Sequence, residues 1–284
     1  MAERLCFFKN GYCSQSDIHI SPLDHGFLYG MGTYGVIPFV QRTPLWLDHY
    51  LNHWHASLIE LNCQKQIDWP GIIAHLIDNY EADSGYIYLH ASLGAAPLRG
   101  QDPIDPTLLA IPQPYSPPSQ EELQAPWSAL CVDDIERCQT RQHKHTSKWA
   151  YRQAFASAKS QGYDEAIFHK SGSLLEGASS NILLLSGRQI ISPPKDGIYA
   201  GVTRAVIQEL APSYGYEFIE RPIHLADISS DQEIVLTGSL KTLRPVGRIN
   251  DIHVTSGPLW FELMRAYQSH IECYVHQHQT SPVC

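Results

Sequence analysis

Four stretches of the chain carry the apolar spacing of a helix, most clearly where Leu51, Trp54 and Leu58 fall on one face. The predicted helices cover residues 48–61, 69–80, 149–160 and 201–210. Ser147 is predicted to cap the third helix, and Gly162 to end it. Each helix is therefore expected to bury one face against other elements.

Between the helices, short runs of apolar, β-branched and aromatic residues predict strands. They cover residues 5–11, 18–21, 36–40, 85–92, 108–111, 166–168 and 233–236. Asn10-Gly11 predicts a hairpin turn, and Ser171-Gly172 predicts another that leads back to Glu176 at the rim of a hairpin. Helices and strands mixed in this way predict an α/β (α+β) fold.

The length of 284 residues favours about two domains. The segment PQPYSPPSQEELQ at residues 112–124 is rich in proline and polar side chains, which is typical of a linker. We therefore predict a small N-terminal α/β domain over residues 1–117, with the linker near 112–124. A larger C-terminal domain is predicted over residues 125–284.

Composition and charge argue against several classes of protein. No apolar run is long enough for a bilayer span or a signal peptide, so we expect a cytoplasmic protein without a membrane partner. The net charge of -9, without a run of Lys and Arg, argues against a nucleic-acid partner. Seven scattered cysteines without a CxxC pair indicate reduced thiols, and the fifteen histidines lack metal-site spacing, so we assign no metal.

A formal GxGxxG runs from Gly30 to Gly35, a pattern that binds dinucleotides when it joins a strand to a helix. Here the run is followed by Val36-Ile37-Pro38-Phe39-Val40, which predicts a strand rather than a helix. The dinucleotide interpretation is therefore disfavoured.

Five motifs, taken in order along the chain, resemble those of the class IV aminotransferases. They are SPLDHGFLYGMGTY, GYDEAIF, LLEGASSNI, GVTRAVIQELA and TGSLKTLRPV. The resemblance implies a two-domain fold-type IV enzyme that depends on pyridoxal 5′-phosphate (PLP). It also implies a cofactor bound between the domains, a small-molecule amine substrate, and a homodimer in which the partner contributes to the pocket.

This chemistry requires a lysine that bonds covalently to the cofactor and later transfers protons. Lys144 and Lys148 both lie just before or at the start of the third predicted helix. Lys148 would lie in the first helical turn, where the helix dipole disfavours a cation, whereas Lys144 lies in the extended approach. The interval from Lys144 to GYDEA also agrees better with the family. We therefore select Lys144 as the catalytic residue, although a surface lysine is the default for either residue taken alone.

By motif, the resemblance places Glu176 at the pyridine nitrogen of PLP and Ser239 on the phosphate side. Backbone N–H groups at a helix start suit a phosphate, so Val202 and Thr203 are the other predicted phosphate ligands, and Thr203 adds a hydroxyl. A plain turn would use a serine such as Ser239 equally well.

Three further candidates depend on the resemblance. His53 falls where the family carries a phosphate-clamping arginine, and a histidine lacks the permanent charge and the fork of that side chain. Tyr34 would face the substrate, although a buried tyrosine in a turn is the ordinary alternative. Arg99 could bind a substrate carboxylate, although a lone loop arginine is more often solvated.

The motifs leave three functions open. SPLDHGFLYG and Arg99-Gly100 are more similar to aminodeoxychorismate lyase, which forms p-aminobenzoate and pyruvate, whereas EGASSN is more similar to D-amino-acid transaminases. Pro38 and Leu93 stand where some transaminases carry basic residues for the substrate carboxylate, which weakens the D-amino-acid or branched-chain transaminase alternative. A degenerate PLP-binding protein without turnover is the third possibility, suggested by His53 and Gly35. We favour the lyase.

Overall fold

The computed structural model describes residues 3–63, 65–97, 105–134 and 142–280. These residues form two compact units. The first comprises the described residues among 1–116, 143–147 and 274–284, and the second comprises those among 117–142 and 148–273. The domain division at 1–117 and 125–284 stays a prediction, and the compact units differ from it by assigning residues 143–147 and 274–284 to the first unit.

The first unit contains a six-stranded sheet and three helices. Its elements are β1 (Leu5–Phe8), β2 (Gly11–Ser14), α1 (His25–Tyr29), β3 (Gly32–Val40), β4 (Thr43–Pro44), α2 (Leu47–Glu60), α3 (Trp69–Asp78), β5 (Gly85–Ser92) and β6 (Thr107–Pro114). The strand order is β2-β1-β6-β5-β3-β4, and every pairing is antiparallel.

Aromatic side chains from α2 and α3 form the core of the first unit. Trp69 of α3 is buried and packs edge-on against Trp54 of α2 and Phe7 of β1, with ring centroids 5.4 and 6.0 Å apart. The apolar face predicted for α2 is the buried one, since Leu51, Trp54 and Leu58 are all inaccessible. The helical pattern in the sequence therefore identified the correct packing face.

The second unit is built on a ten-stranded sheet. Its elements are α4 (Gln120–Gln124), β7 (Trp127–Asp133), α5 (Trp149–Ser160), β8 (Glu165–Lys170), β9 (Ser173–Gly177), β10 (Asn181–Ser186), β11 (Gln189–Ser192), α6 (Val202–Leu210), β12 (Glu217–Glu220), β13 (Ile223–His224), β14 (Glu233–Gly238), β15 (Thr242–Ile249), β16 (Ile252–His253) and α7 (Pro258–Thr280), whose last residues belong to the first unit.

Six strands of this sheet close into a ring. The strand order is β12-β11-β10-β14-β15-β7-β8-β9-β13, and an extra pairing between Glu176 of β9 and Asn181 of β10 joins the two ends of the run from β10 to β9. Aliphatic side chains fill this part of the sheet, among them Ile167, Leu236 and Val246. Glu176 therefore lies at the closure of the ring.

Three local predictions are wrong. Residues 18–21 form no strand, and the preceding Gln15–Asp17 is a short 3₁₀ helix. The first hairpin turns at Lys9-Asn10, one position early, because Phe8 pairs with Gly11 and Lys9 takes the left-handed conformation with φ of 56°. Lys148, rather than Ser147, occupies the N-cap position of α5, and no side chain caps that helix.

The predicted linker contains regular structure at both ends. Pro112 and Pro114 belong to β6 and pair with Ile87 and Gly85 of β5. Gln120–Gln124 is helix α4, which begins with a capping box between Ser119 and Glu122. Proline is usually found outside strands, so the proline-rich composition predicted a loop. It is nevertheless tolerated on a strand where its missing N–H is not needed for the ladder.

Among the described residues, no helix combines the length and apolar character that crossing a bilayer requires.

Candidate active site

Lys144 lies on an extended segment that pairs with the start of β3. Its carbonyl oxygen accepts hydrogen bonds from the backbone N–H of Tyr34 at 3.1 Å and from Oγ1 of Thr33 at 2.7 Å. Thr146 donates its N–H to the carbonyl of Gly32 at 2.9 Å and its hydroxyl to that of Gly30 at 2.9 Å. Two hydrogen bonds thus fix the backbone of Lys144 to β3, and two more fix Thr146, two residues later, to Gly32 and Gly30.

Two glycines of the GxGxxG make this pairing possible. A Cβ on Gly32 would lie 2.7 Å from the carbonyl oxygen of Ala91 and 3.0 Å from Oγ1 of Thr146. Gly30 ends α1 in the left-handed region with φ of 67°, where a side chain would be strained. Gly32 and Gly35 are themselves strand residues, so these glycines serve close backbone approach, and no dinucleotide-binding turn is present among them.

The amine of Lys144 is 5.6 Å from the ring centroid of Tyr34. Tyr34 is half-buried on β3 and stacks on Tyr88 of β5, with centroids 5.9 Å apart. The tyrosine is therefore a strand residue beside Lys144, and the alternative of a buried tyrosine in a turn is wrong.

Lys144, His49 and His143 all act on the charge of His53 in the first unit, and we call these four residues the lysine–histidine cluster. Burial lowers the pKa of His53, and the charges of Lys144, His49 and His143 lower it further. Ser57 contacts two members, since its hydroxyl donates to the carbonyl of His53 at 2.9 Å and lies 3.3 Å from Nδ1 of His143. At neutral pH His53 is therefore mostly uncharged and can donate one N–H.

Glu176 is the centre of a second group on the other unit. Its side chain is 4% exposed; Oε1 accepts from the hydroxyl of Tyr151 at 2.9 Å, and Oε2 accepts from the backbone N–H of Tyr199 at 2.9 Å. Asn181, opposite Glu176 in the sheet, donates to the carbonyl of Tyr199 at 2.6 Å and accepts from the N–H of Gly201 at 3.1 Å. We call these five residues the carboxylate network.

The carboxylate network leads directly to the start of α6. Gly201 is the N-cap residue, and Val202 and Thr203 are the first two helical residues. The hydroxyl of Thr203 is buried and has no hydrogen-bond partner, although the residue is only 2% exposed. A buried hydroxyl without a partner is costly, and a helix N-terminus attracts anions. These two features fit the phosphate of PLP.

Ser239 follows β14 in a turn where the N–H of Lys241 donates to the carbonyl of Gly238 at 3.1 Å. Thr237, two residues earlier, has a second buried hydroxyl without a hydrogen-bond partner. The second unit thus offers a buried carboxylate that could bind a protonated nitrogen, and unpartnered hydroxyls that could bind an anionic group.

Comparison of the sequence with known protein families identifies the family to which this site belongs. The family model for class IV amino-transferases matches residues 32–249, which is most of the chain. The chain belongs to the class IV aminotransferases. These are PLP-dependent enzymes, so the predicted family, enzyme class and cofactor are confirmed.

Individual relatives of this class IV chain differ in activity. It is 24% identical over 281 residues to a D-alanine aminotransferase of Staphylococcus epidermidis, covering 96% of this chain and 98% of the relative. It is 26% identical over 288 residues to the aminodeoxychorismate lyase of Bacillus subtilis, covering 95% and 96%. The structure resembles the branched-chain amino acid aminotransferase of Escherichia coli, with a TM-score of 0.86, 17% identity and 94% coverage of each chain. The last match confirms the fold class only.

The predicted site residues of this class IV chain fall into two sets. Lys144, His53 and Tyr34 lie in the first unit, while Glu176, Val202, Thr203 and Ser239 lie in the second. Arg99 lies outside the described residues. Within the described part of the chain, no group of three or more His, Cys, Asp or Glu side chains is placed to hold a metal ion.

Sequence reasoning missed a second buried carboxylate. Glu165 is fully buried on β8, and its Oε2 accepts from Nζ of Lys241 at 2.7 Å and from the hydroxyls of Ser179 at 2.9 Å and Ser180 at 3.2 Å. Glu165 lies in GYDEAIF and Lys241 in TGSLKTLRPV, so both residues were within motifs that the sequence had already singled out. Their opposite charges, 76 residues apart, gave no signal of pairing.

Proposed function

We propose that this class IV enzyme is a 4-amino-4-deoxychorismate lyase, which converts its substrate into p-aminobenzoate and pyruvate. The observation that supports the PLP site is the carboxylate network, because it joins a buried, hydrogen-bonded carboxylate to a helix start with an unpartnered buried hydroxyl. A protonated ring nitrogen and a phosphate are the two groups that such a pair would bind.

In this proposal Glu176 holds the proton on the ring nitrogen of PLP. Val202 and Thr203 at the start of α6, together with Ser239 and His53, hold the phosphate. When bound, PLP takes up the substrate amine and withdraws electrons from the adjacent carbon. Glu176 contributes by keeping a negative charge beside the nitrogen throughout this withdrawal.

Lys144 is the proposed attachment residue and general base. Its carbonyl accepts hydrogen bonds from Tyr34 and Thr33, so the backbone from which the flexible side chain extends is held in place. With PLP and substrate bound, Nζ would remove the proton from the amine-bearing ring carbon. The C–O bond to the enolpyruvyl group then breaks, the ring becomes aromatic, and the released group is protonated to pyruvate. The net reaction consumes no oxidant or reductant.

Two positions favour the lyase over a transaminase. Pro38 is buried on β3, and Leu93 donates its N–H to the carbonyl of Met31 at 3.3 Å, so neither supplies the positive charge expected at these places in some transaminases. The identity to the Bacillus subtilis lyase over almost the whole chain agrees with this choice. Arg99 is the proposed ligand for a substrate carboxylate.

The test supplies aminodeoxychorismate alone and follows p-aminobenzoate. Lyase activity needs no amino acceptor, whereas transamination needs a 2-oxo acid to complete its cycle. Parallel reactions supply D- or L-amino acids with 2-oxoglutarate or pyruvate and follow the new amino acid. Amino-group exchange without p-aminobenzoate would reject the lyase and establish the transaminase.

The second candidate is a D-amino-acid or branched-chain transaminase. The 24% identity to a D-alanine aminotransferase over 281 residues and the EGASSN turn favour it. A degenerate PLP-binding protein is the alternative from another class, motivated by His53 in place of arginine. Visible absorbance of the purified protein with added PLP tests the degenerate case together with the two activity assays. No protein-bound cofactor band favours degeneration, whereas a bound band with turnover in either assay excludes it.

We also propose that the enzyme is a homodimer that associates through the exposed apolar surface of α1 and its flanks. Phe27, Tyr29 and Met31 are 74%, 52% and 45% exposed, respectively. Large apolar side chains concentrated at one place on a surface are typical of an interface. Light scattering after size-exclusion chromatography should give a dimer mass for the parent protein and a monomer mass for Phe27→Glu.

A further inference from the structure

Tyr151 is the third residue of α5 and reaches the site through one hydrogen bond. Its ring packs edge-on against buried Phe168 of β8, with centroids 5.0 Å apart. Its hydroxyl donates to Oε1 of Glu176 at 2.9 Å. The contact with Phe168 therefore fixes the direction from which the hydroxyl approaches the carboxylate.

Lys148 contacts the ring of the same tyrosine. Nζ of Lys148 is 4.0 Å from the centroid of the Tyr151 ring, and the two residues are three positions apart at the start of α5. A cation at this distance over a ring is attracted by its negative face. The cation also stabilises negative charge on the phenol, so it makes the hydroxyl of Tyr151 a stronger donor.

Glu176 receives its two neutral donors on different oxygens. Tyr151 donates to Oε1, and the backbone of Tyr199 donates to Oε2. Two donors on opposite oxygens fix the plane of a carboxylate and favour its ionised form.

We propose that Tyr151 is a positioning residue that keeps Glu176 oriented and ionised, and that Lys148 strengthens this effect through the tyrosine ring. The inference rests on the proposed function, because it takes Glu176 as the ligand of the PLP ring nitrogen. It also gives the two neighbouring lysines different tasks: Lys144 bonds to the cofactor, whereas Lys148 acts on the cofactor's acidic partner through Tyr151.

The first experiment measures the titration of Glu176 in the cofactor-free protein. The probe is the carboxylate band in isotope-edited infrared spectra of protein labelled with ¹³C-glutamate, identified by its absence in Glu176→Gln. Tyr151→Phe removes the hydroxyl and keeps the ring. We expect it to raise the titration midpoint of Glu176 by about one pH unit, because one donor to the ionised form is lost. Lys148→Met should raise the midpoint by less.

The chain supplies a matched control. Arg248 lies over the ring of Tyr163 at 4.4 Å, and the Tyr163 hydroxyl donates to the carbonyl of Asn250 at 3.4 Å. Tyr163→Phe and Arg248→Met therefore remove the same kinds of group elsewhere in the same unit. Neither should move the Glu176 band, and an equal shift in these controls would show a general effect of substitution and overturn the inference.

The second experiment uses the PLP-loaded enzyme. Tyr151→Phe should lower kcat about 10-fold with little change in KM, the fold-change that a hydrogen bond to a charged group is worth. In the Glu176→Gln background the same substitution should have no further effect, because the partner charge is already absent. An equal loss in both backgrounds would indicate a merely structural role for Tyr151 and overturn the inference.

The two proposals fail differently. A parent protein that binds no PLP overturns the proposed function and, with it, this inference. A parent protein that binds PLP, while Tyr151→Phe leaves both the titration midpoint and kcat unchanged, overturns the inference alone.

Discussion

The lysine–histidine cluster and the carboxylate network use different means to hold their functional groups. Lys144 is fixed through its backbone to β3, and its charge lowers the pKa of the neighbouring His53. Glu176 is fixed through its side chain, which accepts hydrogen bonds from a tyrosine hydroxyl and a backbone N–H. We therefore expect pH to alter cofactor binding through the first group, while the second behaves as a constant frame.

The largest effect should come from the first group. We expect Lys144→Ala to lower turnover by at least about 10³-fold, because both covalent attachment and general-base transfer are lost. The fold should survive, since the backbone bonds of residue 144 remain. Lys148→Ala is the control and should cost far less. Borohydride reduction of the PLP-loaded protein and peptide mapping identify the attached lysine, and label on Lys148 would exchange the two assignments.

Glu176→Gln tests the role of the carboxylate network. We expect PLP to stay bound while the single-turnover rate falls by about 10- to 100-fold, because a neutral amide no longer stabilises the protonated ring nitrogen. Rapid-mixing absorbance measurements report that rate. An unchanged rate would show that Glu176 has no role in the mechanism. The carboxylate network would then no longer be a functional counterpart of the lysine–histidine cluster.

Thr203→Val separates cofactor binding from stability. The substitution keeps the shape of the side chain and removes a buried hydroxyl that has no partner, so the cofactor-free protein should become slightly more stable. The dissociation constant for PLP should rise about 10-fold if this hydroxyl binds the phosphate.

Thermal unfolding with and without PLP measures both effects of Thr203→Val. Thr237→Val is the matched variant, because its hydroxyl is also buried and unpartnered. Equal PLP affinity in Thr203→Val and the parent protein would show that the Thr203 hydroxyl does not bind the phosphate.

The smallest effect is expected for His53→Arg, which sharpens the pH contrast. Burial and nearby positive charges lower the pKa of His53, so the free protein carries it mostly neutral at pH 7, whereas a bound phosphate dianion would raise that pKa. PLP binding by the parent should therefore strengthen as pH falls from 8 towards 6. His53→Arg should bind about 5-fold tighter at pH 8 and gain less at pH 6.

Fluorescence titration with PLP at several pH values measures the effect of His53→Arg. His55→Arg is the control, since His55 is exposed on the same helix. Equal or weaker affinity in His53→Arg across the range would count against His53 at the phosphate.

Of the seven α-helices among the described residues, the sequence predicted α2, α3, α5 and α6, because their apolar periodicity is local. It also predicted strands β1, β3, β5, β6, β8 and β14. It missed the short helices α1 and α4, the long helix α7 and most of the other strands. It located α2, α5 and α6 within a residue or two at each end. It failed at residues 18–21 and at the cap of α5, where no strong local signal exists. Turn chemistry at Asn10-Gly11 gave the hairpin but not its register, because the neighbouring strand β6 also contributes to the pairing of β1.

The candidate site was only partly readable from the sequence, for a physical reason. Glu176 and Thr203 lie in motifs, and motifs record residue types at fixed spacing. The bonds of Asn181 to both sides of the Tyr199–Gly201 segment, the Tyr151 hydroxyl on Glu176 and the Glu165–Lys241 pair all join distant parts of the chain. Only the closed arrangement of strands brings those partners together.

The order of strands also affects the tendency of this enzyme to aggregate at high concentration. Both sheets end in short strands, since β2 and β12 have four residues each and β4 and β13 have two. Strands this short offer little template for another chain to add to the sheet, which is the usual route to fibrous aggregation. The proposed homodimer through the side-chain surface of α1 is the form of self-association that such edges leave open.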